Sequence, residues 1–401
     1  MEITIFRRNE VTPQLFENQL LYKTQDYTDI NVFKNEKYGN VKDLDKTKGL
    51  LDSLDKNSER YRRAAAKYLN EYELIKILCK KQVLSRAYFK LYEIIYFDQV
   101  ISKTDLDCFF ICEAPGSFIE CVQDIRIKKN LRTRYISISK CDNLIKYGSY
   151  LEPKNLIYGD ITEKDVILDT IKETRRRFPD GLDLITADGG FDVKIFVAQE
   201  MMCSKLLLCE IYLALKCQKI GGQFVIKFFD MFSHNSIIYY LLLCSFYNYV
   251  KIIKPKSSRN CNSERYLVCY EFKGNDLLTE SVFKIIENFE ISENKFTIIF
   301  PDIELVDLPQ LKKLTIYNNI VLYEQIKTIN ESIKMVHSKN SYLSNLLLNI
   351  FIHKTPDINR IYNILVYKNI LGSRITKCID FLKSHFIQVN KHIKKYEYKS
   401  Y

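Results

Sequence analysis

CFFICEAPGSFIECV, from Cys108 to Val122, is the stretch that decides the fold. Cys108 to Cys112 is a short apolar run with the length and composition of a buried strand. It stops at Glu113-Ala114-Pro115-Gly116, and apolar residues restart as a helix from Phe118 to Val122. A strand that turns through proline and glycine into a helix is a building unit of an α/β sheet. Gly116 permits close backbone approach, and the new helix offers unpaired N–H groups to a nucleotide-like ligand. The turn is neither GxxxxGK nor GxGxxG, so a tight turn with no ligand is the competing reading.

Working outward, the same alternation repeats. Tyr135–Ile138 and Leu156–Tyr158 are strands, the latter ending at Gly159-Asp160. Leu182–Ala187 is a strand ending at Asp188-Gly189-Gly190, and Phe224–Ile226 is one ending at Lys227. Between the last two lies a long helix, Cys203–Lys219, which Gly221-Gly222 is expected to close as a left-handed helix end. Ile237–Phe246 is helical. Tyr249–Ile253 and Tyr266–Phe272 form a strand pair around a polar loop, which predicts one antiparallel strand near the sheet edge. The fold class is therefore α/β, with a mostly parallel sheet covered by helices on both faces.

Upstream, residues 1–78 mostly lack strand-like alternation and read as a mostly helical extension, with one helix over Lys56–Leu78. Ser85 reads as the N-cap of a helix running to Ile95. The α/β domain spans 79–273. Residues 274–401 form a mainly helical region, with helices expected over Tyr317–Lys334, Ser341–His353, Ile358–Asn369 and Arg374–Lys395. The terminal KHIKKYEYKSY is basic and aromatic, and either frays or contacts a phosphate backbone.

A formal charge of +11 and a pI near 8.9 favour a polyanionic partner such as nucleic acid; a lysine-rich solvated surface is the alternative. The 12 cysteines form no CxxC pair and no zinc spacing, so they read as reduced core thiols. No metal is expected, since none of the five histidines lies in these motifs. MEITIFRRNEV lacks the apolar region of a secretory signal, and Ile237–Tyr247 is too short to span a bilayer. The expectation is a soluble intracellular protein with no membrane partner.

In an open parallel sheet, ligands bind beyond the carboxyl ends of the strands. Asp160 stands at such an end, where it can accept from an adenine amino group or cap the helix near Thr162. Asp188 and Lys227 end two further strands. Lys90 comes from the helix before the first strand, and Glu264 from the loop before the last strand or from its start. An isolated lysine at a strand end is usually solvated, but four such positions on one sheet edge read as a site. Lysine is a poor base near neutrality unless burial and a second cation depress it; Lys90 is the expected second cation for Lys227. Such an amine can take or organise the proton of a substrate hydroxyl that attacks an electrophilic methyl group, while Asp188 and Glu264 orient the amines.

SRAYFKL, CEAPGSF, LITADGGFDV, GGQFVIKFF and KPKSSRNCNSERYLVC occur in that order between about Leu84 and Phe272. They resemble the motifs of FtsJ/RrmJ-type RNA 2′-O-ribose methyltransferases, most closely the cap-specific members of eukaryotes and large cytoplasmic DNA viruses. The resemblance implies a Rossmann-like methyltransferase domain over 79–273 that uses S-adenosyl-L-methionine. It implies a catalytic tetrad of Lys90, Asp188, Lys227 and Glu264, with Lys227 as proton acceptor. Pro115, Gly116, Ser117 and Phe118 correspond to the methionine-side loop, Asp160 to the adenine-side acid, and Asp188 also lies beside the sulfonium. Ser117 stands where many relatives have a second glycine. The second strand ends at Ser137-Ile138-Ser139 without the usual ribose-binding acid, leaving Ser139 or Asp142 as substitutes. The implied substrate is RNA, 5′-capped mRNA first, with a possible link to capping or transcription machinery. Methylation of internal rRNA or tRNA positions, or a silent RNA-binding subunit on the same fold, are the alternatives. The flanks, before about Leu78 and after about Gly274, resemble no family.

Overall fold

The computed structural model describes residues 2–7, 24–27, 39, 41–140, 152–190, 198–292, 295–300, 309–337 and 368–389. In chain order its elements begin with β1 (Glu2–Arg7), β2 (Thr24–Tyr27), α1 (Val41–Asp52), α2 (Lys56–Leu69), α3 (Ile75–Leu78) and α4 (Ala87–Ile95). The central part alternates as β3 (Asp105–Ile111), α5 (Ser117–Lys128), β4 (Arg132–Ser139), β5 (Leu156–Tyr158), α6 (Lys164–Arg177) and β6 (Leu182–Ala187). It continues with α7 (Gln199–Met202), α8 (Ser204–Cys217), β7 (Gln218–Phe228), α9 (His234–Phe246), β8 (Tyr247–Ile253) and β9 (Arg265–Phe272). After it come α10 (Asp276–Glu287), β10 (Ile291–Ser292), β11 (Lys295–Ile299), α11 (Pro309–His337) and α12 (Lys368–Ser384).

Eight strands form one sheet in the order β1-β8-β9-β7-β6-β3-β4-β5. β3 to β7 run parallel. The expected antiparallel strand is β9, and it lies inside the sheet between β7 and β8, paired antiparallel with both. The edge position belongs to β1, which pairs antiparallel with β8. An N-terminal stretch read as lacking strands thus supplies the edge strand, because the sheet supplies pairing partners that local patterning does not reveal. β2 joins β10 and β11 in a separate three-stranded antiparallel sheet.

The sheet is covered on both faces, as its apolar strands require. Alternate residues of one strand enter different cores: Phe109 and Ile111 join the layer under α8 and α9, while Cys108 and Phe110 join the layer under α4 and α5. Because the chain steps from β3 outward to β4 and β5, then returns to β6 on β3's other side, a switch point lies between β3 and β6. In open sheets of this kind, ligands bind at such a point, beyond the carboxyl ends of the strands.

Several local expectations differ from the observed elements. The helix before Gly221-Gly222 ends at Cys217, and β7 is already under way at Gln218. Gly221, at φ +79°, sits where the β6–β7 register shifts between Leu182 and Leu184. The glycine pair therefore serves a strand irregularity rather than a helix end. Lys56–Leu78 is two helices, broken after Leu69 and resumed at Ile75. Ser85 lies two residues before α4, and its Oγ accepts from the Ala87 N–H at 3.1 Å. Tyr317–Lys334 falls within α11, while Arg374–Lys395 is represented by α12, which ends at Ser384. Ser341–His353, nearly all of Ile358–Asn369, Asp142 and the KHIKKYEYKSY terminus lie outside the described residues. Among the described residues, no helix is long and apolar enough to cross a membrane.

Candidate active site

Strand alternation brings the predicted residues to one face. On β7, Phe224, Ile226 and Phe228 enter one core and Val225 the other, so Lys227 shares the face of Val225. On β6, Ile185 and Ala187 face one way and Leu184 the other, so Asp188, next after Ala187, continues the face of Leu184. Tyr266 and Val268 of β9 lie on that same face, and α4, the helix of Lys90, covers it.

The four residues form two linked pairs. Lys227 Nζ lies 3.1 Å from Asp188 Oδ1 and donates to the Asp188 carbonyl at 2.6 Å. Lys90 Nζ spans both oxygens of Glu264, at 2.7 Å from Oε1 and 2.8 Å from Oε2. Ser258 Oγ donates to Glu264 Oε1 at 2.6 Å, and the buried Lys254 amine donates to the carbonyls of Asn262 and Glu264 at 2.7 and 2.9 Å. Tyr266 hydroxyl donates to Asp188 Oδ1 at 2.9 Å. The turn after Asp188 is closely packed. A Cβ on Gly189 would meet Glu210 Oε1 at 2.2 Å, and one on Gly190 would meet Phe229 Cζ at 3.0 Å and Lys227 Nζ at 3.3 Å.

The electrostatics correct one expectation. Burial alone would lower the Lys227 amine, but Asp188, Glu264 and Glu210 outweigh it and hold the amine above its ordinary value. Lys90, the expected second cation, pairs with Glu264. Burial likewise works against the Glu264 carboxylate, yet Lys90, Lys227 and Ser258 hold it well below the usual range. The site at rest is two satisfied ion pairs rather than a free amine. Two further acids behave in the opposite way. Burial, with Asp188 adding, pushes the Glu113 carboxyl well above its ordinary value, and burial pushes Glu210 up to about 8.

Across the switch point, the turn after β3 is organised by these acids. Glu113 Oε2 accepts from the Phe118 N–H at 3.0 Å, and Gly116 adopts φ +103° at the head of α5. Ser117 Oγ pairs with Ser85 Oγ at 2.7 Å, tying the turn to the segment before α4. Pro115 is half-buried on the turn. Phe118 is fully buried, its ring 6.1 Å from that of Tyr266, so its side chain belongs to the core. Ser139 is buried and its Oγ accepts from the Ala114 N–H at 3.0 Å, so it braces the turn. Asp160 Oδ1 accepts from the Thr162 N–H and hydroxyl at 3.0 and 2.7 Å, and Lys140 holds Oδ2 at 2.7 Å. Burial raises the Asp160 carboxyl, but these donors win and leave it below its ordinary value. The helix itself starts later, at Lys164.

The site suits a ligand with hydrogen-bonding groups and a positive charge near Asp188. Glu113 Oε1 and Glu210 Oε2 are buried oxygens with no partner among the described residues, and Asp188 lies beside Lys227. Sequence reading missed Tyr266 and Glu210 as site residues. Tyr266 lies two residues after Glu264 on the start of a strand, and Glu210 is a lone acid inside the apolar helix LLLCEIYLAL; both were readable signals.

A doubly wound sheet with lysine–carboxylate pairs near the carboxyl ends of its strands defines an open-sheet class of α/β domain. Residues 83–272 match the family model described as FtsJ-like methyltransferase. A relative from Danio rerio, cap-specific mRNA (nucleoside-2′-O-)-methyltransferase 2, is 28% identical over 278 residues, covering 63% of this chain and 37% of its own length. Cap-specific mRNA (nucleoside-2′-O-)-methyltransferase 1 from Mus musculus is 31% identical over 278 residues, covering 60% of this chain and 31% of its own length. The chain thus spans about a third of the length of these relatives.

Proposed function

We propose that this chain is an S-adenosyl-L-methionine-dependent RNA 2′-O-ribose methyltransferase that modifies the first transcribed nucleotides of capped mRNA. The observation that carries the reading is the convergence of Lys90–Glu264 and Asp188–Lys227 on one sheet face beside an acid-lined switch point. The capped substrate rests on the names of the relatives, and the basic chain suits a polyanion.

When bound, S-adenosyl-L-methionine supplies an electrophilic methyl group on a sulfonium. Gly116, Ser117 and the Glu113 carboxyl are the groups that would hold its methionine end, Asp160 its adenine end, and Asp188 its positive charge. Lys227 rests as an ammonium and accepts a proton only after releasing one. The largest influence holding that proton is Asp188, so neutralising Asp188 with a neighbouring cation frees the amine. Lys227 then takes the proton of a 2′-hydroxyl placed at its Nζ. Lys90 and Glu264 keep the opposite wall fixed, which limits the hydroxyl to one approach.

Transfer of labelled methyl from the donor to matched capped and uncapped transcripts, with the modified nucleotide mapped, tests this. The expected result is label on ribose 2′-oxygens next to the cap. Label on internal positions of uncapped RNA, or none on either RNA, overturns it.

A further inference from the structure

The segment between β8 and β9 carries Glu264, and residues on both sides of the family match hold it. From the N-terminal side comes Glu73, in the break between α2 and α3. Its Oε1 lies 2.7 Å from Arg259 Nη2, and its Oε2 accepts from Arg259 Nε at 2.9 Å, Arg86 Nη1 at 2.5 Å and Asn70 Nδ2 at 2.9 Å. Arg86 immediately precedes α4, the helix of Lys90, and its other nitrogen donates to the Ser257 carbonyl. Arg259 follows Ser258, which itself donates to Glu264. From the C-terminal side, Arg265 Nη1 donates to Asn318 Oδ1 of α11 at 2.6 Å.

We propose that Glu73 is a positioning residue: by gripping Arg86 and Arg259 together, it holds the helix of Lys90 and the loop of Glu264 at ion-pair distance. The proposal rests on Lys90 and Glu264 belonging to the catalytic set. Glu73 is buried, and the two guanidinium groups it holds are partly buried. Burial would raise its carboxyl, yet Arg259 and Arg86 hold it below its ordinary value, so it stays charged. A buried ion cluster costs more desolvation than apolar packing of similar volume. What the cluster gains here is fixed geometry: one carboxylate joins the two elements that present the Lys90–Glu264 pair. The helical segment before the family match is therefore part of the active-site scaffold.

The test uses the full chain with Glu73→Gln, alone and combined with Glu264→Gln. Single-turnover methyl transfer, donor affinity by calorimetry and amide hydrogen exchange are measured for each. Glu73→Gln is expected to slow transfer at least tenfold, with donor Kd unchanged within twofold. In the Glu264→Gln background the same change is expected to cost no more than twofold, because the residue it acts through is already altered. Exchange across 255–264 is expected to speed up at least tenfold while 113–118 stays protected. Equal losses in both backgrounds, an unchanged rate, or a uniform rise in exchange overturn the proposal. If Glu73→Gln does not fold, Arg259→Lys, which keeps the charge and removes the two-pronged contact, faces the same comparisons. A wild-type chain that transfers no methyl group defeats the functional reading, while the exchange measurement still decides the role of Glu73.

Discussion

Lys227 illustrates how a residue's place can be legible in the sequence while its electrostatics are not. Its position at a strand end beside Asp188 was legible, but its environment was not. Three carboxylates outweigh burial, so the amine rests charged. Two predictions follow from its role and charge. Lys227→Ala should slow methyl transfer by ~10²–10⁴-fold, the range typical of losing a positioned proton acceptor, with donor affinity little changed by calorimetry. Because the free protein holds Lys227 above its ordinary value, the deprotonated fraction grows about tenfold per pH unit below that value. The kcat/KM of the wild type should therefore climb through neutrality without levelling by about pH 9; a flat profile from pH 6 to 9 would remove Lys227 as acceptor. Glu210 makes a separate prediction with the opposite sign. Its folded value, raised to about 8 from 4.5, means the native state keeps a proton that the unfolded chain has released. That contribution is fully present below about pH 4.5 and is lost as pH rises through about 8. Wild type should lose a few kcal/mol more stability than Glu210→Gln between pH 5 and pH 8, on the order expected for a shift of this size. Urea midpoints at the two pH values measure it. The amide retains an acceptor for the Gly189 N–H, so equal slopes would show that Glu210 does not titrate in this window.

At the level of elements, the strand ends were legible and the joints between them were not. Leu156–Tyr158 and Leu182–Ala187 have the predicted bounds because short apolar runs ending in glycine or acid have few other meanings. Gly221-Gly222 was misread because a glycine pair after a helical pattern fits a helix end equally well. Only the pairing with β6 exposes the register shift it serves. The Gly189 turn is the joint most exposed to mutation. Gly189→Ala would press a methyl group against Glu210 Oε1 and displace the Asp188 carbonyl that receives Lys227. A destabilisation of ~1–3 kcal/mol, typical of overpacking a fitted site, should appear in thermal melts, together with weaker donor binding. Unchanged donor binding in the folded variant would show that the turn does not shape the crevice.

Over the whole molecule, charge and topology act at different ranges. The excess of positive charge, +11, predicts that RNA binding weakens as salt rises, each neutralised phosphate contributing roughly −0.7 to the log–log slope for a single strand. The KM for RNA should rise steeply between 50 and 200 mM salt while donor affinity stays nearly constant; parallel changes in both would point away from a polyanion groove. The sequence by itself determined the α/β alternation, the residues at strand ends and the order of the motifs, because periodicity, turn residues and short motifs are local properties of the chain. Tertiary structure alone decided that β1 closes the sheet edge and that Glu73 reaches Arg86 and Arg259. It also decided that Tyr266 braces Asp188 and that Lys227 rests protonated. Those facts depend on pairing, burial and charges brought together from distant parts of the chain, and no local pattern encodes which distant partner a residue meets.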